Sequence, residues 1–342
     1  RILNLGKLSS IDYNALHEHI RGNIPSGMIV REERFGFKPL VGEEMEIYRE
    51  AKQLVTGLYC YRDLKDSARI NKAIGTLGGG NHFIELDKDD EGYVYLVIHT
   101  GSRNLGKQVA DIYQAKAVRH MTAGADEFER TIRQTIDEYK AAGRRSELQS
   151  VIKKMRREQE KAEPSLPAAL CYVEGDARLQ YLHDMRLCQR WAVLNRKLIS
   201  LLLLRFFPGI EVLEEFESVH NYISDDNIIR KGSISAAKGE RCIIPLNMRD
   251  GALICTGKGN PDWNCSAPHG AGRVLSRSQA YEKITMEDFE TSMKGIYSES
   301  VTDSTRDESP MVYKPAAEII ANIGETVSID TIIRPIFNFK AY

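Results

Sequence analysis

A chain of 342 residues with 42% hydrophobic and 28% charged side chains can bury a large core, which excludes a disordered or fibrous protein. Its net charge of −1 supplies no global field toward nucleic acid, so any basic surface must be local. The most apolar run, Leu198 to Phe207, is interrupted by Arg205 and is too short to span a bilayer, so no membrane partner is expected.

Six cysteines (Cys60, Cys171, Cys188, Cys242, Cys255, Cys265) form no CxxC pair, and no signal peptide is visible. Buried thiols in a reducing cytoplasm are the expectation. The first residue is Arg1, not methionine, so the stretch is expected to lack part of the natural N-terminus.

Asp12 to Ile20 predicts a helix starting near Ser9 or Ser10 and broken at Ile24-Pro25-Ser26-Gly27. His17 and His19 lie on it among polar residues and are expected on the solvated surface. A second helix is predicted over Glu43 to Tyr61. His82 to Leu86 and Tyr93 to His99 are short β-rich runs separated by an acidic turn, Asp87 to Gly92, which predicts a hairpin. Antiparallel pairing then brings His82 and His99 to the same sheet end.

From Leu105 the pattern turns helical. Apolar positions at Phe128, Ile132, Ile136, Tyr139, Leu148, Ile152 and Met155 predict one or two amphipathic helices over Ala125 to Lys161, ended by Pro164-Ser165-Leu166-Pro167. Glu174 to Phe207 predicts another long helix. His120 and His183 fall here, in ordinary helical contexts. Short strands return at Ile228 to Ala236, Arg241 to Pro245 and Ala252 to Thr256. A tail from Pro310 carries a helix near Pro315 to Ile323 and an apolar end. One α+β domain with a helical excursion over about residues 105–207 results, without internal repeats.

Four histidines stand inside segments rich in glycine or asparagine. Gly78-Gly79-Gly80-Asn81-His82 offers a run of backbone N–H donors ahead of a strand, although it is neither a Walker nor a dinucleotide sequence. His99-Thr100-Gly101-Ser102-Arg103 ends a strand in an anion-friendly turn before a helix. His220-Asn221-Tyr222 is the third such segment. Pro268-His269-Gly270-Ala271-Gly272-Arg273 holds its histidine on an exposed turn, followed by Arg277 one helical turn later. Imidazole ligates mid-series divalent metals and can attack phosphorus, so these residue types point to metal-assisted phosphoryl transfer. Each segment alone is also compatible with an ordinary turn. Arg103, Arg273 and Arg277 are the expected phosphate contacts. Arg144, Arg145, Lys153, Lys154, Arg156 and Arg157, diluted by Glu158 and Glu160, read equally as a solvated helix face or a strand-binding surface.

Together with Gly75-Thr76-Leu77-Gly78, Asn81 to Glu85, Arg230-Lys231-Gly232-Ser233, His269 to Arg277 and Pro310 to Lys314, these segments make a chain that resembles the RtcB family of RNA-splicing ligases over nearly its whole length. The resemblance implies mixed and antiparallel sheets around a central cleft. It implies a GTP- and Mn²⁺-dependent ligase, a cytoplasmic monomer, joining RNA 2′,3′-cyclic phosphate or 3′-phosphate ends to 5′-hydroxyl ends in tRNA splicing or RNA repair. By analogy His269 becomes guanylylated, and His82, His99 and His220 hold two Mn²⁺. Contacts to the guanine nucleotide are implied for Asn81, His82, Phe83, Ile84, Glu85, His220, Asn221, Pro245, Leu246, Asn247, Met248, Ala252, His269, Gly270, Ala271, Gly272 and Lys340. Lys340 also reads as part of a frayed tail.

Two departures stand out. The family's upstream Asp-x-Gly-Cys-Gly-Met segment, which supplies an aspartate and a metal-bridging cysteine, does not occur in this chain. Leu246 to Ala252 also carries bulkier residues than many relatives. The alternatives are a metal-dependent phosphodiesterase and a non-catalytic RNA-binding homologue with a degenerate metal site.

Overall fold

The computed structural model describes residues 1–122, 125–159 and 164–340. Glu160, Lys161, Ala341 and Tyr342 lie outside them. The chain divides into two compact units, one of Arg1–Leu54, Ala68–Arg103 and Gln189–Tyr342, the other of Val55–Ser67 and Asn104–Cys188. The architecture is α+β. Among the described residues no helix is long and apolar enough to cross a membrane.

The first unit is built on antiparallel strands. A seven-stranded sheet has the order β4-β1-β3-β2-β10-β8-β7, from β1 (Ile2–Asn4), β2 (Phe83–Lys88), β3 (Val94–His99), β4 (Glu214–Phe216), β7 (Arg241–Asn247), β8 (Gly251–Gly257) and β10 (Val327–Lys340). A three-stranded sheet has the order β5-β6-β9, from β5 (His220–Ile223), β6 (Ile229–Ser235) and β9 (Ser266–Pro268). Edge strands β4 and β7 of the large sheet meet through Arg241 on Glu214 (2.9 and 3.1 Å). The sheet therefore curls on itself. Ile2, Phe83, Tyr95, Val97, Ile243, Ala252, Ile254 and Ile333, drawn from six of its strands, pack as one apolar cluster.

Strand β10 is the spine. Its first half pairs with β8 (Ile333 opposite Ala252) and its second with β2 (Lys340 opposite Phe83), with irregularities at Ile329/Thr331 and Pro335/Phe337. A bulge beside Pro335 is where a residue without an N–H can sit in a central strand. The sequence pattern predicts only an apolar end here.

Around these sheets lie α1 (Tyr13–Asn23), α2 (Glu43–Thr56) and α3 (Ser67–Lys72). Helix α1 starts at Asp12, whose carboxylate accepts from the Ala15 amide at 3.0 Å, rather than near Ser9 or Ser10. Its Leu16 and Ile20 are buried one turn apart. His17 is 2% exposed, not solvated: its ring lies tilted against Phe339 with centroids 5.3 Å apart, and its Nε2 lies 3.1 Å from Glu299. His19 is also drawn in, with Nε2 at 2.8 Å from the Leu202 carbonyl. Helix α2 ends at Thr56, five residues short of the predicted Tyr61, which instead begins a 3₁₀ turn.

The second unit holds α4 (Leu105–His120), α5 (Ala125–Ala141), α6 (Arg145–Gln159) and the first part of α7 (Gly175–Leu204). Buried Asp184 ties it together by accepting from the amides of Tyr59 (2.9 Å) and Cys60 (3.1 Å) and from the Tyr113 hydroxyl (2.9 Å). The chain's last helices, α8 (Arg277–Lys283), α9 (Met286–Ser292) and α10 (Ala316–Asn322), belong to the first unit.

Candidate nucleotide and metal site

The hairpin predicted from the histidine spacing is present, with Phe83 directly opposite His99. Lys340 stands opposite Phe83 on the other side, so Lys340, Phe83 and His99 form one row across β10, β2 and β3. The Phe83 ring takes the His99 edge at 5.2 Å and the Lys340 ammonium at 5.7 Å from its centroid. The row sits at the sheet end that receives the glycine loop.

That loop needs its glycines. Gly75, Gly78 and Gly80 have φ of +70°, +90° and +74°. A Cβ on Gly78 would fall 2.0 Å from Arg103 Nη1 and 2.4 Å from His82 Nδ1, so only glycine admits both side chains. Arg103 is in turn held by Thr76 Oγ1 (2.9 Å) and the Gly27 carbonyl (2.7 Å).

His220 opens β5 and His269 follows β9, both on the three-stranded sheet. The four imidazoles nevertheless form a continuous row. Ring centroids are 5.9 Å apart for His82 and His99, 5.6 Å for His99 and His220, and 4.9 Å for His220 and His269. All four are half-buried.

Burial, reinforced by the positive Arg103, pushes His82 down to about 4. Burial and then the neighbouring His82 and His220 hold His99 well below its ordinary value. His220 is lowered by burial and by His269. Three neutral imidazoles at neutral pH follow, and neutral imidazole is the ligating form. Among the described residues, Nδ1 of His82 and Nδ1 of His220 are buried without a hydrogen-bond partner. Such nitrogens suit a mid-series divalent cation in kind. In number they fall short: among the described residues no three His, Cys, Asp or Glu side chains are grouped to hold a metal ion.

Next to this row lies a charged cluster that the sequence motifs do not reveal. Lys340 is buried at the end of β10, not frayed, with Nζ 3.0 Å from Glu308 and its backbone bonded at both N–H and C=O to the Ser300 hydroxyl. Burial opposes ionisation of Glu308, yet Lys340, Tyr313 and Arg277 together hold its carboxyl below the usual range. Arg273 and Arg277, expected to face phosphate, are engaged by Glu308 (both 3.2 Å), and Arg277 also by Asp307. On β2, buried Glu85 accepts from Asn338 and is pushed up to about 7 by burial, with Lys340 pulling the other way.

The remaining residues expected to contact the nucleotide divide. Ala271 N–H donates to the Pro245 carbonyl (3.1 Å), and a Cβ on Gly270 would sit 3.0 Å from the same oxygen. The 269–272 turn thus packs on the end of β7. Asn221 is exposed at φ +62°, its Oδ1 accepting from Gly232 N–H at 3.3 Å. Asn81 is exposed and Gly272 takes φ +71°. Leu246, Met248 and Ala252 point their side chains into apolar clusters, and Ile84 is buried. Those four can reach a ligand only through backbone atoms. Asn247 is occupied by Asp250 at 2.8 Å. In the second unit, Arg144, Arg145, Lys153, Lys154, Arg156 and Arg157 are all exposed, with Arg144 bonded to Glu147.

Sequence comparison bears on this arrangement. The family described as tRNA-splicing ligase RtcB matches residues 45–341. The chain is similar to the RNA-splicing ligase RtcB of Escherichia coli K12, 26% identical over 287 residues that cover 79% of this chain and 61% of that protein. It is likewise similar to the tRNA-splicing ligases RtcB of Aeropyrum pernix (26% over 337 residues; 80% and 62% covered) and Pyrobaculum aerophilum (25% over 311; 75% and 57%). The chain thus spans about three fifths of the length of these relatives. It belongs to the RtcB family.

Proposed function

We propose that this RtcB-family chain is a GTP- and Mn²⁺-dependent RNA ligase that joins 3′-phosphate or 2′,3′-cyclic phosphate ends to 5′-hydroxyl ends, with His269 as the carrier of guanylate. The observation that carries the reading is the imidazole row, in which His269 stands 4.9 Å from His220 at the end of three histidines kept neutral.

In this reading a ring nitrogen of His269 attacks the α-phosphorus of GTP, a P–N bond forms and pyrophosphate leaves. The RNA 3′-phosphate oxygen then takes the guanylyl group and the imidazole is released. Finally the 5′-hydroxyl displaces GMP and the new phosphodiester bond closes. Gly270 to Gly272 let phosphate oxygens approach the backbone closely. Glu85 and Lys340 supply an acceptor and a donor for the guanine edge, and Glu308 balances the Lys340 charge. His82, His99 and His220 would contribute ligands to the metal, which when bound polarises phosphate oxygens. The chain works in this reading as a cytoplasmic monomer in tRNA splicing or RNA repair.

A second reading, a non-catalytic RNA-binding homologue, is favoured by one observation: among the described residues no three ligand side chains are grouped to hold a metal. An oligonucleotide pair, one 3′-phosphorylated and one 5′-hydroxylated, decides between them. A joined product that needs both GTP and Mn²⁺ supports the ligase. Binding without joining supports the second reading, and cleavage without joining would make the chain a phosphodiesterase.

A further inference from the structure

The imidazole row is assembled from two separate sheets. His82 directly precedes β2 and His99 ends β3 of the seven-stranded sheet, whereas His220 opens β5 and His269 directly follows β9 of the three-stranded one. A ring contact of 5.6 Å between His99 and His220 joins the two pairs, while the sheets also pack through an apolar cluster that includes Ile234, Ala267, Ile244 and Leu253. Residues 217–219 connect β4 of the large sheet to β5 of the small one and run straight into His220.

Two adjacent residues on α7, Asn195 and Arg196, bind the segments that flank His82, His99 and His220. Asn195 is fully buried, and its amide is saturated. Oδ1 accepts from the amides of Gly75 (2.7 Å) and Thr76 (3.2 Å), while Nδ2 donates to the carbonyls of Thr76 (3.1 Å) and Gly101 (3.2 Å). One carboxamide thus joins the glycine loop ahead of His82 to the turn after His99. Arg196, 6% exposed, donates from Nη1 to the Thr100 carbonyl (3.0 Å) and from Nη2 to Glu217 (2.7 Å). One guanidinium thus joins the residue after His99 to the connector ahead of His220. Glu217 is held from its other oxygen by Arg1 (2.7 Å), and the Ser218 hydroxyl accepts from the Ile243 amide (3.0 Å).

A helix interior has no local use for a buried amide and a buried guanidinium side by side, because the helix satisfies its own backbone. Their partners lie 21 to 120 residues away and are all segments that carry the histidines. A planar guanidinium with two bonds in fixed directions sets a distance in a way that a lysine or an apolar chain does not.

We infer that Asn195 and Arg196 are positioning residues, Arg196 fixing the separation between the His82–His99 pair and the His220–His269 pair and Asn195 fixing His82 against His99. The inference rests on the proposed reading only in that the row is then a working centre, since the geometric claim concerns the metal-free protein.

Selective isotope labelling of histidine, with ring-to-ring nuclear Overhauser contacts recorded in the metal-free full chain, tests it. Wild type is expected to give three contacts: His82–His99, His99–His220 and His220–His269. Arg196→Met is expected to lose the His99–His220 contact while keeping the two within each sheet. A purely structural role would lower the melting temperature and leave all three contacts in the folded fraction, and that result would overturn the inference. Glu217→Leu keeps the size of the side chain and removes its acceptor oxygens, so it gives the same readout should Arg196→Met not fold. Retention of the His99–His220 contact in folded Glu217→Leu would likewise count against it. Failure of the ligase reading would appear elsewhere, as wild type with all three contacts but no guanylate on His269.

Discussion

Lys340 and Glu308 form an ion pair of 3.0 Å with both side chains almost wholly buried, 6% and 2% exposed. A lone ammonium at that depth would be strongly disfavoured, so the carboxylate is what permits a lysine to end strand β10 inside the fold. Two more cations, Arg273 and Arg277, converge on the same Glu308. The cluster holds the Lys340 side chain in place at the end of β10.

Removing the carboxylate should therefore be expensive. Glu308→Gln is expected to cost about 3–5 kcal/mol in unfolding free energy, the range for breaking a buried pair. Urea titration of the variant checks this, and a loss below about 1 kcal/mol would show that Lys340 does not depend on Glu308.

Neighbouring glycines should respond very differently to alanine. Gly78→Ala meets both a φ of +90° and the Arg103 and His82 side chains. It is expected to lose about 1–3 kcal/mol, typical of a residue forced into such a backbone, and to displace His82. Gly79→Ala places its Cβ 3.6 Å from Gly27 Cα, an ordinary contact, and should change stability by less than about 0.5 kcal/mol. Thermal melts of the two variants side by side are sufficient.

Glu85 makes a pH-dependent prediction. Its carboxyl is raised from 4.5 to about 7 in the folded chain, so the folded state holds a proton that the unfolded state has released between those values. The stability this lends is complete below about pH 4.5 and is lost as pH rises through 7. Glu85→Gln cannot titrate. Relative to wild type it should gain stability between pH 5 and pH 8, while buried Asp87, whose carboxyl burial and Glu85 raise, still titrates. A pH-independent difference between the two would mean that Glu85 is charged throughout.

His99 is the ligand candidate in contact with most of the others, touching His82, Phe83 and His220. His99→Ala should weaken Mn²⁺ binding at least tenfold, as read by calorimetric titration. His269→Ala should leave the affinity within about twofold, because the reading gives His269 to guanylate and not to the metal. Equal losses in both would merge the two roles.

The histidine segments were legible because turn chemistry and strand periodicity are local signals. A strand ending in His99 and another beginning after His82, with a short acidic turn between, can pair in only one sensible way. Their supports are not local. Asn195 acts on Gly75 from 120 residues away, and nothing in a helical run announces that. Glu308 lies in a 3₁₀ stretch of no evident pattern and gains its role only when β10 delivers Lys340 beside it. The spine strand carries no clear sequence signal because it contains Pro335, which argues against a central strand except at a bulge. His17 is a related case: polar neighbours on α1 suggest solvent, but the tertiary packing of Phe339 covers that face.

The most direct measurement is intact-mass spectrometry of the chain after incubation with GTP and Mn²⁺, followed by peptide mapping. The account predicts one added guanylate that maps to His269, is released by acid, survives base and is missing from His269→Ala. No adduct on wild type, or an adduct that persists in His269→Ala, would contradict it.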